Sequence, residues 1–149
     1  MVIVAGNWEI GWNAPITEQY LWSFPIRDFE IDHWRMMPVS GIKNKEREVD
    51  LVEFHTQGEL LDTPLPRIFL EPRIGKLNQD STWLSEFEHP ESCMYVFGSA
   101  HKDFTSLKRD GDTVVSIDTV QDKGVLWSPQ CLAVVLYDRL VKRGDNNTR

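Results

Sequence analysis

The stretch FEHPESCMYVFGSAHKDF, residues 87 to 104, carries an apolar run into Gly98 and then into a short charged loop. A glycine just past a strand lets a ligand approach the backbone, and in open α/β sheets ligands settle in crevices at the carboxyl ends of strands. Gly98 therefore marks a candidate binding loop, with a simple turn as the competing reading. The other reactive side chains point to less. His33, His55, His89 and His101 lie far apart without the paired spacing of metal ligands, so no metal is expected. There is no P-loop, no GxGxxG and no nucleophile elbow. Cys93 and Cys131 both sit in apolar runs and read as small buried hydrophobes. Asp110, Asp112, Asp118 and Asp122 fall in loops, where acidic residues serve turns and solubility. Arg27, Arg35, Arg67 and His101 are candidates for polar chemistry, each with a plain surface role as its alternative. Three of the six tryptophans, Trp8, Trp12 and Trp22, cluster around the first helix, where they could pack in the core or stack on a base.

These groups need a frame to position them. A chain of 149 residues with 41% hydrophobic content is large enough for one domain with a real core and too small for two ordinary ones. The amino terminus has no basic leader running into a long apolar stretch, and no window approaches the roughly 20 apolar residues of a membrane span. A soluble, cytoplasmic protein with no membrane partner is expected. The net charge of -7 argues against sequence-blind phosphate binding, so any nucleic-acid site must be a local basic patch.

Short apolar runs alternating with helix signals predict an α/β domain over residues 1 to 144, with a mostly parallel sheet and helices on both faces. VIVAG reads as a first strand stopped by Gly6. Asn13 and Pro15 open a helix whose apolar face is Ile16, Tyr20 and Phe24 and which Pro25 ends. FEIDHWRMMPV and VDLVEF read as strands separated by a solvated loop, SGIKNKERE. Thr56 and Glu59 form a capping box before a short helix, and RIFLE follows the prolines at 64 and 66. Residues 81 to 88 read as another short helix; CMYVF and TVVSI complete the strands. In the terminal helix, residues 128 to 143, Ser128 is the expected cap, Pro129 fits the first turn and Gly144 ends it. That helix is apolar over much of its circumference: Leu132, Val135, Leu136 and Leu140 on one side, Val134, Tyr137 and Val141 extending round. It must be covered twice, by its own domain or by a partner subunit. Residues 145 to 149 read as a frayed tail.

The order VFGSA, VVSI, loop and a helix ending LYDRL, with FEHPE before the first of these, resembles the carboxyl half of the SpoU/TrmH branch of the SPOUT methyltransferases. The resemblance covers residues 87 to 143 and, more loosely, 66 to 86; before that only the order strand, Asn-Pro turn, helix supports it. It implies a trefoil knot, a dimer through residues 128 to 143, and 2′-O-methylation of tRNA or rRNA with S-adenosylmethionine. By the same resemblance Phe97, Gly98, Ser99, Ile117, Gly124, Leu126 and Trp127 would wall the cofactor pocket; the catalytic residues stay unknown, with Asn13 and Gln19, at the first motif, and Arg27, as a relocated group, for candidates. The chain departs from the family in three motifs, in the third of which Val125 also replaces a serine. Gln19 stands where the family has an arginine six residues after its asparagine, Ala100 where it has a glutamate, and Trp127 where it has an asparagine. Gln19 cannot act as a base, so the resemblance leaves two readings: a divergent methyltransferase, or a binding module that kept the fold and lost the chemistry. An unrelated flavodoxin-like or Rossmann-like domain is a third.

Overall fold

The computed structural model describes residues 1–7, 15–37, 49–98, 104–121 and 126–144. They form one seven-stranded sheet: β1 (Val2–Asn7), β2 (His33–Met37), β3 (Val52–Phe54), β4 (Arg67–Leu70), β5 (Thr82–Trp83), β6 (Cys93–Phe97) and β7 (Thr113–Ser116). The order across the sheet is β3-β2-β1-β6-β4-β7-β5, and every pairing is parallel. All seven carboxyl ends therefore lie along one edge. Three helices join them: α1 (Pro15–Asp28), α2 (Gln57–Leu60) and α3 (Ser128–Arg143).

A parallel sheet covered on both faces needs strands that are apolar in every position. The central strand, β6, meets this. In β6, Cys93, Tyr95 and Phe97 pack into a cluster with Trp22, Ile26, Leu132 and Leu136, while Met94 and Val96 join Leu60, Phe69 and Phe104 on the other face. Gly6 belongs to the same logic. A Cβ at this position would lie 2.9 Å from Cη2 of Trp22 and 3.1 Å from the Phe97 carbonyl oxygen, so only glycine lets the indole lie against β1. The strand accordingly runs on to Asn7 rather than stopping at Gly6.

Four local expectations are corrected. The inward face of α1 is Glu18, Gln19, Trp22 and Ile26, all buried, whereas Tyr20 and Phe24 are 41% and 45% exposed. The fit of Trp22 over Gly6 sets the helix rotation, and the aromatic pair stacks outside instead, with ring centroids 5.8 Å apart. Pro25 does not end α1; the helix continues to Asp28. It stops at Glu30, in the left-handed region at φ 53, where Ile31 N–H donates to Ile26 O at 3.0 Å and Glu30 N–H to Arg27 O at 3.1 Å. Residues 81 to 88 are not a helix: Thr82–Trp83 pair with Val115 and Ser116 as the edge strand β5, and only Leu84–Glu86 make a 3-10 turn. Finally, the residue that caps α3 is Trp127, whose N–H donates to Gln130 Oε1 at 2.9 Å, and Ser128 is the first helical residue. The Thr56–Glu59 capping box and the Gly144 terminator, at φ 68, form as read from the sequence.

Candidate functional site

Because the strands are parallel, the carboxyl ends of β1, β6, β4 and β7 stand side by side: Asn7, Phe97–Gly98, Leu70–Glu71 and Ser116–Ile117. α3 begins against this edge. Ser128 Oγ donates to the Gly98 carbonyl at 2.6 Å in a buried hydrogen bond, which explains why it is not free to cap the helix. Cys131 Sγ donates to Leu126 O at 3.5 Å, so the chain entering the helix is also tied down. On the far side Ser116 Oγ donates to Glu71 O at 2.6 Å and shares a hydrogen bond with Ser81 Oγ at 2.7 Å. Arg73 donates to both the Oγ and the carbonyl of Ser81 and lies 3.8 Å over the ring of Trp83.

Of the residues singled out in the sequence, Phe97 and Gly98 are buried at this edge, Ile117 is half-buried beside them, Trp127 is half-buried and Leu126 is exposed. Ser99 and Gly124 lie outside the described residues, as do Asn13, Ala100, His101, Asp122, Trp8 and Trp12. Gln19 is fully buried on the first part of α1. Arg27 is not brought to the site. It sits in the last turn of α1, about 18 Å along the axis from the helix start, pairing with exposed Asp28 near the amino end of β1. Arg67 is a buried structural group held by Asp112 at 2.6 Å, and Arg35 donates to Asp62 O at 2.8 Å. Asp118 accepts from Ser85 N–H at 3.1 Å; burial raises its pKa but that hydrogen bonding outweighs it and leaves the carboxyl below the usual range.

Asn7 is a group the sequence reading passed over. It is 4% exposed at the end of β1, one register step from Gly6↔Phe97, and its Oδ1 has no hydrogen-bond partner among the described residues. Leaving a buried carbonyl unpaired costs roughly 1 to 3 kcal/mol, which a bound donor would recover. Its sequence signal was only an asparagine closing an apolar run.

The histidines resolve into two arrangements. His33 and His55 both reach Glu53, at 2.9 and 3.4 Å; burial raises the glutamate's pKa, but the two hydrogen bonds outweigh it and leave it lowered. His89 is buried between the Tyr95 hydroxyl and Asp138 Oδ2, each at 2.7 Å, on the turn that leads into the amino end of β6. α3 clamps the same turn: Arg139 donates to Pro90 O and Glu91 O, and Arg143 to His89 O. Burial lowers the His89 pKa, and Asp138 only partly restores it. A histidine depressed in the folded state gives stability above its unfolded pKa of about 6.5 that is lost as pH falls through the folded value. The melting temperature is therefore expected to drop between about pH 7 and 5, and the drop to shrink in His89→Gln. An unchanged profile would remove His89 from the explanation, since carboxylates such as Glu53 and Asp112 act at lower pH.

Among the described residues no group of three or more histidine, cysteine or acidic side chains could hold a metal ion, and no helix is long and apolar enough to cross a membrane.

No protein-family model matches the chain, and no curated protein does. Solved structures do. A candidate RNA methyltransferase from Bacillus anthracis superposes with a TM-score of 0.68 at 12% identity, covering 97% of this chain and 95% of that one. The SpoU methyltransferase AviRb from Streptomyces viridochromogenes, in complex with AdoMet, gives 0.65 at 9% identity over 97% of this chain and 61% of its own longer one. The chain has the SpoU/TrmH fold. A structure concerned with 2-OH methylation of C/U34 on tRNA gives 0.62 at 12% identity and covers 97% of both chains. Identity this low fits the departures at Gln19, Ala100 and Trp127 and makes the chain a divergent example of the SpoU/TrmH architecture.

Proposed function

We propose that the protein is a SPOUT-type RNA methyltransferase-like protein that uses S-adenosylmethionine, with the 2′-hydroxyl of a tRNA or rRNA ribose as the acceptor. The observation that carries this is the carboxyl edge of the sheet, where the ends of β1, β6, β4 and β7 stand side by side on the SpoU/TrmH fold, with β6 and α3 tied by the Ser128–Gly98 hydrogen bond; the crevice for the nucleotide is proposed there. Half-buried Ile117 offers an apolar surface at the end of β7, Asn7 holds an acceptor with no partner among the described residues, and Phe97 and Gly98, buried at the end of β6 on the neighbouring strand, would line the nucleotide with backbone groups. Ser99, Gly124, Leu126 and Trp127 complete the proposed wall, and the family's carboxyl-terminal trefoil knot belongs to the same proposal. When bound, S-adenosylmethionine supplies an electrophilic methyl on a sulfonium. The protein's task is to hold the ribose hydroxyl in line with it and to exclude water. One domain over residues 1–144, a frayed tail over 145–149 and a cytoplasmic location belong to the same reading.

A dimer through residues 128–143 is also proposed. On α3, Val134, Tyr137 and Val141 are 40%, 61% and 53% exposed at i, i+3, i+7, and α1 lies alongside with Tyr20 and Phe24 uncovered. The particle measured by light scattering is expected to have twice the 17.3 kDa chain mass. A monomer at tens of micromolar would overturn it.

Gln19 favours a second reading. It fills the family's arginine position, is fully buried on α1 and is a neutral amide, so it can neither pair a phosphate nor take a proton. This supports a binding module without turnover. Calorimetry with S-adenosylmethionine separates the readings from a wrong assignment. Binding is expected, weakened about tenfold in Ser128→Ala, which unties α3 from Gly98 and leaves that carbonyl unpaired. Binding without methyl transfer to total tRNA or rRNA selects the module; no heat at millimolar nucleotide removes both.

A further inference from the structure

A second site lies away from the crevice. The loop joining β4 to β5 and the segment leading into β7 enclose an open groove of about 450 Å³. Lys76 and Asn78 line one wall, Lys108 the other, and Thr82 and Thr113 lie between them. Neither lysine has an ion-pair partner among the described residues. Two acidic residues share the groove, but they do not cancel the lysines. Asp112 is consumed by buried Arg67 and by the N–H of Arg109, which leaves Asp80 as the opposing charge.

Both walls are built to hold their shape. The first is a tight turn with Gly75 at φ 57 and Asn78 at φ 56, closed by Leu77 N–H to Ile74 O at 2.8 Å. Asn78 Nδ2 anchors it to Pro72 O at 2.8 Å and Ser81 N–H returns to Asn78 O at 3.0 Å. The second carries Lys108 between two fixed points. Arg67 donates to the Leu107 carbonyl at 2.8 Å, and Asp112 accepts the Arg109 N–H at 2.6 Å. A buried ion pair thus pins the backbone on either side of an exposed, unpaired lysine.

Two like charges held facing one groove, among hydroxyl and amide donors, match a chain of oxyanions. In a protein of net charge -7 this is a local basic patch of the kind a nucleic acid would require. β7 links it to the crevice: from Thr113 in the groove to Ile117 at the edge is four residues, about 13 Å of strand. We propose that this groove binds phosphates of the single-stranded RNA whose ribose enters the crevice, with Lys76 and Lys108 as the contacting cations. The proposal rests on the methyltransferase reading for its choice of RNA and extends it to where the strand runs.

The test is binding of a short single-stranded oligoribonucleotide to the parent and to the Lys76→Gln/Lys108→Gln double variant at several salt concentrations. Each phosphate contact to a single strand contributes about 0.7 to the slope of log affinity against log salt, so losing two should flatten it by about 1.4. Between roughly 50 and 200 mM salt the parent should then lose about sevenfold more affinity than the variant. S-adenosylmethionine binding, read by calorimetry, should be equal in the two proteins. An unchanged slope, or no oligonucleotide binding by the parent, overturns the groove. So does lysine-dependent binding of inorganic pyrophosphate with none of RNA, which would mark a small-anion site. A lysine-dependent slope without any S-adenosylmethionine binding would leave the groove standing and remove the methyltransferase reading instead.

Discussion

Replacing Asp112 with alanine is expected to destabilise the fold by about 3 to 5 kcal/mol, read as a lower urea midpoint at an unchanged slope. Asp112 Oδ2 accepts from Arg67 Nη2 at 2.6 Å, from Arg67 Nε at 3.0 Å and from the Arg109 N–H at 2.6 Å. The two side chains are 5% and 4% exposed, so deleting the carboxylate strands a guanidinium whose remaining hydrogen-bond partners among the described residues are the Leu61 and Leu107 carbonyls. Burial alone would raise the Asp112 pKa, but the Arg67 hydrogen bonds outweigh it and hold the carboxyl below its usual range. The contribution should therefore be present near neutrality and be lost as pH falls below about 4. Removing both charges together in Arg67→Met/Asp112→Leu should recover most of the loss, because a buried pair replaced by apolar groups is often neutral. A cost below about 1 kcal/mol for the single variant would mean that water reaches Arg67. The pair also changes how activity data should be read. Loss of methyl transfer in an Arg67 variant would report a damaged fold and a displaced Lys108, and would not identify a catalytic group.

The sheet was legible in the sequence because parallel strands buried on both faces read as unbroken apolar runs, and CMYVF, VIVA and the IFL that follows Arg67 are such runs. The β5 strand was not legible. Thr82 and Trp83 are held by Val115 and Ser116 and by the Ser81–Ser116 hydrogen bond, contacts made across 33 or more residues, and by Arg73 over the indole, none of which a local period encodes. The rotation of α1 was misread for a related reason. Tyr20 and Phe24 are spaced as a core face, but Gly6 leaves room for an indole and not for those rings, so two buried polar residues travel inward with Trp22.

The strand ends that form the candidate site were legible, and the contacts between them were not. Gly98 announced itself as a glycine past an apolar strand, and Ser128 as a polar residue at the start of a helix, but the hydrogen bond that joins them spans 30 positions. Asn7 and the unpaired lysines are visible only once the fold shows what does not reach them. Arg27 failed as a candidate on helix length alone, since a residue in the last turn of α1 stands at the wrong end of the sheet.

The tightest of these constraints gives the other large effect. Gly6→Val is expected to destabilise the protein by about 3 kcal/mol or more, and Gly6→Ala by about 1 to 3. A Cβ would press on Cη2 of Trp22 at 2.9 Å and on the Phe97 carbonyl at 3.1 Å. Neither can retreat, because Trp22 is fully buried and Phe97 is 1% exposed with its carbonyl within the central ladder of the sheet. The indole is held edge-on to the Phe97 ring, with centroids 5.8 Å apart, and donates Nε1–H to Glu18 at 3.4 Å. Trp22→Phe lacks the clashing ring carbon, so Gly6→Ala should cost less in that background even though Trp22→Phe alone is destabilising. The residual cost reports the carbonyl contact, which no change at residue 22 relieves. Thermal or urea unfolding of the four proteins in the cycle measures the coupling directly. Additive costs would show that the indole does not lie on Gly6 and that the rotation assigned to α1 is wrong. Because Phe97 leads into Gly98, the same alanine should also weaken S-adenosylmethionine binding by more than the stability loss explains, if the crevice is where the nucleotide sits.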